Sequence, residues 1–496
     1  MQIELAQKLL NALNNVDLFK TIYKSAEETS DDTIKEILKE LKTCKDEHWK
    51  SMLSIFYLLN RTLDEQLILI KKYKQTGYNY GVLQIITGEY TQSLEIDDQI
   101  KLINKYKSTG YRSGVLEIIK SESVQTYRET KDILKLINKY KSTDYNKDVY
   151  DIICDEDVLK FRKIDEQLEL IDKYISIGNN TGLLEIIIDS NILQIRNRED
   201  HLALIDEYIA MGFPEEMLDV ILEPALLQLK LEEQLALMRK YRETGYNKGV
   251  AAIILDEDVL VYRKSDDILD LIDKYEENSN DDILDLVCDA CILKYRKSNE
   301  QLELIDKYIE TGYNDEVFGI IHNAVILEYK TIEAHIELID TYIKYNCDAG
   351  VLKIIHDPDV LRGRTIDQQI KLIEKYVEFG YNPYLLDLIC NSGVIKNRSI
   401  DEHLSLLDKY EETNYKEKAF KIAIDVSIKP DEQLKQMDRY VERESFLKSI
   451  NSIDNLENLR EYLSQVQKRM PNEDIKMDTV VPVYRPNDKK KEENKN

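Results

Sequence analysis

Leu304 to Ile321 reads LIDKYIETGYNDEVFGII. Leu304, Ile305 and Tyr308 stand three and four residues apart and so share one face of a helix, Gly312 follows as a turn residue, and Val317 to Ile321 opens a second apolar segment. This is a helix, a tight turn and another helix. Working outward, the same pattern returns around Tyr73, Tyr106, Tyr140, Tyr174, Tyr208, Tyr241, Tyr275, Tyr308, Tyr342, Tyr376, Tyr410 and Tyr440, at intervals of 33 or 34 residues except for the last. A period in that range predicts a stacked array of helical hairpins.

Offsets from each tyrosine carry the same chemical type from copy to copy. Six before it is Leu or Ile throughout, from Leu67 to Leu434; three before is Ile, Leu or Met; four before is Leu in eleven of twelve copies, Gln436 being the exception. With the tyrosine these make the apolar stripe of the unit's first helix, here helix A. An acid stands eight before the tyrosine in ten copies, including Glu65, Glu166, Glu300 and Glu402, at the positive end of the helix dipole. Capping boxes are expected at Thr62 with Glu65, Ser298 with Gln301, Thr365 with Gln368 and Ser399 with Glu402. Four after the tyrosine comes Gly in seven copies, among them Gly178, Gly245 and Gly312, which predicts a left-handed C-cap. Helix B follows, for example Gly114 to Ile119. Ser121, Asp155, Asp189, Asp256, Asn323, Asp357 and Asn391 then cap an expected short third helix, with Pro358 at its first position.

These features predict an all-α fold: a right-handed superhelical α-solenoid of about twelve repeats, each helix-turn-helix plus a short third helix. Residues 1–60 read as an N-terminal helical cap, 61–444 as the repeat array, 445–470 as a C-terminal capping helix and 471–496 as a disordered tail rich in Lys, Glu and Asn. No stretch approaches 18 consecutive apolar residues, and Met1 to Leu13 lacks the pattern of a secretory signal.

A net charge of −26 argues against nucleic acid and anionic membrane surfaces and favours a partner with basic segments. Six cysteines, Cys44, Cys154, Cys288, Cys291, Cys347 and Cys390, read as reduced thiols of a cytoplasmic protein; Cys288 and Cys291 lack the second ligand pair of a zinc site. There is no phosphate loop, nucleophile elbow or zinc-protease helix, so no catalytic residue, cofactor or metal is expected.

An arginine stands twelve before the tyrosine at Arg61, Arg128, Arg162, Arg196, Arg263, Arg296, Arg364 and Arg398. The last seven are the candidate partner-binding residues, because a line of guanidinium groups grips carboxylates or a peptide backbone in forked geometry. The competing reading makes them a structural ladder, paired with acids or capping the carbonyls of the third helix. Acids two before the tyrosine, such as Asp172, Asp206, Asp273 and Asp306, favour the ladder. The tyrosines read as packing between units, with a stacking surface as the alternative. His201, His335 and His403 stand where other copies carry Gln and read as plain polar replacements. Five before the tyrosine the residue varies freely, from Ile68 to Lys435, which is either solvent face or the place where specificity is written.

The stretch 304–321 resembles the hairpin of tetratricopeptide and pentatricopeptide repeats. That resemblance implies an α-solenoid, and protein or peptide binding in the first family or single-stranded RNA binding in the second. The chain departs from both: it lacks the tetratricopeptide Trp, Ala and Pro pattern and has a third helical segment. The function expected is a non-enzymatic interaction scaffold binding a protein or peptide. The alternatives are a pentatricopeptide-like RNA-binding protein and an effector or toxin with an enzymatic site near one terminus. The Ile-, Lys- and Asn-rich composition also fits an intracellular microbe or virus, which would place the protein in a host cytosol.

Overall fold

The computed structural model describes Ala12 and residues 15–22, 29–44, 48–56, 61–451 and 464. The expected tail at 471–496 and most of the closing segment lie outside the described residues. Among those described, all regular structure is helical. The chain divides into two compact units, Met1–Ile305 and Asp306–Asn496.

In the first unit, helices Asp31–Lys42 and Trp49–Phe56 stand where an earlier helix A and helix B would be. Triplets then follow at the predicted period. One comprises Ile164–Ile177, Thr181–Ile188 and Ser190–Ile195. In the second unit a corresponding triplet is Ile366–Glu378, Pro383–Ile389 and Ser392–Asn397. Pro224 is followed by a single 3₁₀ turn, Leu226–Gln228, in place of the third helix. Like helices of successive copies pack together: Lys147–Cys154 against Thr181–Ile188, and Glu156–Phe161 against Ser190–Ile195.

The apolar stripe is the seam. Leu170, Ile171 and Tyr174 are buried, as are their counterparts Leu372, Ile373 and Tyr376. The cap residues Asp189 and Asp357 are both the end of helix B and the start of the third helix, so a single residue turns the chain. The Asp189 carboxylate accepts from the Ile192 amide at 2.8 Å. That satisfies one of the amide donors a helix start leaves unpaired.

Three capping boxes form as predicted, at Thr62, Thr365 and Ser399. The fourth is shifted by one residue. Ser298 is already inside the helix, and Glu300 caps the Lys297 amide at 2.9 Å. Gln301 is fully buried instead. The register follows the seam, because turning Gln301 outward would turn Leu304 and Tyr308 with it.

Gly312 has φ +72°, as the cap requires, but the next residue, Tyr313, is also left-handed at +61°. The same pair of conformations recurs at Gly245 and Tyr246. A tyrosine there costs about 1–2 kcal/mol. The ring repays it by packing edge-on against the seam tyrosine, as Tyr246 does on Tyr241 with centroids 5.4 Å apart.

Candidate interaction surfaces

The seven candidate arginines do not face solvent. Arg128, Arg162, Arg196, Arg263, Arg296, Arg364 and Arg398 are each 6–9% exposed. Arg263 shows the arrangement: Nη1 donates to the Leu293 carbonyl at 3.0 Å, and Nη2 donates to the Arg296 carbonyl at 3.0 Å and to Gln301 Oε1 at 2.8 Å. Arg128 reaches Leu159, Arg162 and Gln167 in the same way. Arg128, Arg162, Arg263 and Arg364 thus cap the end of the next copy's third helix, whereas Arg196 reaches Gln234 and Arg398 reaches Gln433 and the Ile428 carbonyl of a turn. Of the two structural readings it is carbonyl capping that the geometry displays. Burial pulls the Arg128, Arg162 and Arg263 guanidinium groups below their ordinary value, opposed in part by the nearby carboxylates of Asp132, Glu166 and Asp267 with Glu300 respectively.

The other half of the device is the residue seven before the tyrosine, whose importance the sequence reading missed. Gln99, Gln167, Gln234, Gln301 and Gln369 are completely buried. The Gln301 amide nitrogen donates to the Leu286 and Val287 carbonyls at the end of helix B, both at 2.9 Å, while its oxygen receives Arg263. His201 substitutes fully rather than as a plain polar residue. Its Nε2 donates to the Ile186 carbonyl at 3.0 Å, which leaves Nδ1 to accept from Arg162 at 3.2 Å. The signal was present: positions seven, four and three before the tyrosine share one helix face. Where the arginine is replaced by Leu94 or Leu229, the next copy carries Ile133 or Ile268 in place of Gln. Both members change together, as expected for a buried pair.

The acids two before the tyrosine pair with lysines, not with these arginines. Lys139 meets Asp172, Lys173 meets Asp206 and Lys240 meets Asp273, each bridging one helix A to the next; in the second unit Lys375 meets Asp408 at 2.6 Å. The pair inverts once, with Glu207 against Arg239 at 2.6 Å. The seam tyrosines are enclosed, Tyr174 and Tyr308 completely, so their faces offer no stacking platform. Tyr174 donates to Asp148 at 2.5 Å, and Tyr376 donates to the Tyr381 carbonyl at 3.1 Å.

Helix B of the first unit presents a different surface. Glu117, Asp151, Glu185 and Asp219 recur on corresponding turns of four successive copies, the next copy carries Ala252, and Asp285 resumes the position in the one after, with Asp151 half-buried and the other acids exposed. None of the five is in an ion pair, in contrast to the helix A acids. They lie along the line of tyrosine hydroxyls. Burial first, and then Tyr111 and Glu117 for Tyr106 and Glu185 for Tyr208, push those phenols above their usual value.

Burial raises the thiols of Cys154, Cys288 and Cys390 to about 12, which leaves them protonated, whereas Cys347 is exposed in a turn. Among the described residues there is no group of three or more His, Cys, Asp or Glu placed to hold a metal, and no helix long and apolar enough to cross a membrane. Fold and seam together define an all-α helical repeat protein of stacked three-helix copies. No protein-family model and no curated protein matches the chain.

Proposed function

We propose that this protein is a non-enzymatic interaction scaffold that holds a basic segment of a partner protein against the helix B face of its first unit. The observation that carries this reading is the column of unpaired carboxylates at Glu117, Asp151, Glu185, Asp219 and Asp285. Elsewhere the chain neutralises its repeated acids with lysines from the neighbouring copy, at Asp172, Asp206 and Asp273. Acids left open at one repeated position are complementary to Lys or Arg spaced along a partner. Net charge of −26 steers the same class of partner towards the chain.

The test replaces the five acids by their amides in the full chain and measures binding of a fluorescein-labelled peptide repeating Lys-Ser-Ser. Tagged capture from lysate at physiological salt accompanies it, with and without RNase. Saturable binding that weakens at least about tenfold in the variant, roughly 1.4 kcal/mol, supports the reading. Equal binding by both proteins, or captured partners that vanish on RNase treatment, overturns it.

A further inference from the structure

The junctions between the third helix and the next helix A break the acidic character of the chain. Residues 158–164, 192–198, 226–231, 259–265 and 292–298 contain no Asp or Glu in five successive copies, and every one contains Lys or Arg. The arginines of these junctions that belong to the seam are buried, but Lys160, Lys163, Lys230, Lys264, Lys294 and Lys297 are exposed. None of the six ammonium groups forms an ion pair. The lysines of helix A, by comparison, are paired one after another.

Beside these lysines, of which Lys294 is hydrogen-bonded to Tyr295, stands a line of rings and aliphatic side chains. It is formed by the residue that precedes each seam arginine: Tyr127, Phe161, Ile195, Tyr262 and Tyr295. Tyr127, Ile195 and Tyr262 are 37%, 39% and 43% exposed, and Val261 beside Tyr262 is 74% exposed. Lys160 lies over the Phe161 ring and Lys294 over the Tyr295 ring, each 4.9 Å from the centroid. Cations are favoured at a helix C-terminus by its dipole, which accounts for lysine there but not for the exposed rings. The third helices Glu122–Tyr127, Glu156–Phe161 and Ser190–Ile195 pack one on the next, as do Glu257–Tyr262 and Ala290–Tyr295, so the features line up from copy to copy.

We infer that this junction edge of the first unit is a second docking surface, and that its occupant is an extended acidic polypeptide segment carrying apolar or aromatic side chains. Charge complementarity selects an anionic occupant. Packed helices lie about 8–10 Å apart, and three residues of an extended or polyproline-type chain advance about 9–10 Å, so one carboxylate and one apolar side chain in every three residues meet the lysines and rings at 158–164, 259–265 and 292–298, whereas 192–198 offers Ile195 without a lysine and 226–231 offers Lys230 without a ring. Single-stranded nucleic acid fits less well. Its phosphates are denser than the lysines, whereas an acidic polypeptide can space its carboxylates to them; Asp165, Glu166, Glu199 and Glu232, within two residues of the junctions, disfavour any anion of high charge density. This surface is separate from the carboxylate column of helix B and takes the opposite charge, so either can fail alone.

Fluorescence anisotropy on the full chain tests it, with labelled peptides repeating Glu-Tyr-Ser or Lys-Tyr-Ser and an oligouridylate of matching length as probes. The variant Lys160→Gln, Lys163→Gln, Lys264→Gln, Lys294→Gln, Lys297→Gln removes cations that have no ion pair in the fold, and Tyr262→Ser removes one ring. The expected result is that the Glu-Tyr-Ser peptide binds, that the lysine variant weakens it at least about tenfold, that Tyr262→Ser weakens it with unchanged salt dependence, and that circular dichroism shows both variants folded. Binding of that peptide unaffected by the folded lysine variant, no binding by wild type, or tighter binding of the oligouridylate lost in the same variant would each overturn the assignment.

Discussion

At the residue scale, the arginine and the glutamine it meets are one object. Arg263→Leu leaves Gln301 Oε1 and the carbonyls of Leu293 and Arg296 without their donor. Buried acceptors left unpaired cost about 1–3 kcal/mol, which predicts a clear drop in urea midpoint. The double change Arg263→Leu, Gln301→Ile should recover part of that loss by removing the stranded Oε1, even though the Leu286 and Val287 carbonyls then lose the Gln301 amide, because the chain already uses Leu94 with Ile133 and Leu229 with Ile268. If the double variant is no more stable than Arg263→Leu in a double-mutant cycle, the pairing is not the unit of substitution. The histidine copies add a pH dependence. Burial lowers His201 to about 3 and His403 to about 4, against about 6.5 in an unfolded chain. Their stability contribution is therefore complete above about pH 6.5 and declines as pH falls towards the folded values, because the unfolded chain takes up the proton first. His201→Gln, His403→Gln should flatten the loss of melting temperature between about pH 6.5 and 4 relative to wild type; identical slopes would show that the imidazoles are not held neutral.

At the scale of an element, the turns and caps are local and were legible as such. Gly312 has φ +72° and open space around a prospective Cβ, so Gly312→Val is opposed by backbone strain alone and should cost about 1 kcal/mol or more. A neutral change in melting temperature would contradict the left-handed assignment. Gly249 is there for another reason. A Cβ at that position would overlap the ring and hydroxyl of Tyr275 from the next copy. The sequence showed the glycine but not the ring above it. The helix A lysine bridges are also set by neighbours: Glu207 with Arg239 keeps the attraction that Lys173 with Asp206 makes, with the signs exchanged. Each such surface bridge contributes little on its own, about 0–1 kcal/mol, yet a copy stacked out of order would place like charges together.

At the scale of the molecule, stability is a sum over copies and the interfaces between them. Leu170→Asp with Ile171→Asp places two carboxylates in the seam, where both side chains are at most 3% exposed. Faster hydrogen exchange and new protease cleavage are expected in that copy and in both neighbours within the first unit. Protection lost only at the mutated helix would mean that adjacent copies do not lean on one another. The surfaces divide in the same way: Asp172, Asp206 and Asp273 of helix A are bridged by lysines of the neighbouring copy, whereas Glu117, Asp151, Glu185, Asp219 and Asp285 of helix B and the six junction lysines of the first unit form no ion pair.

The sequence by itself determined the period, the three-helix pattern of most copies, all but one of the expected capping boxes and the apolar stripe, because all of these depend on residues within one turn or one turn-and-cap of each other. It did not determine which charged groups are internal. Arg128 and Gln167 are 39 residues apart, and periodicity shows that each recurs without showing that they meet. Only the stacking of one copy on the next buries the arginines, pairs the helix A acids with lysine and leaves Glu117, Asp151, Lys160 and Lys264 unpaired. Burial and ion pairing are properties of a side chain's neighbours in space, and here the neighbours that count belong to the following copy.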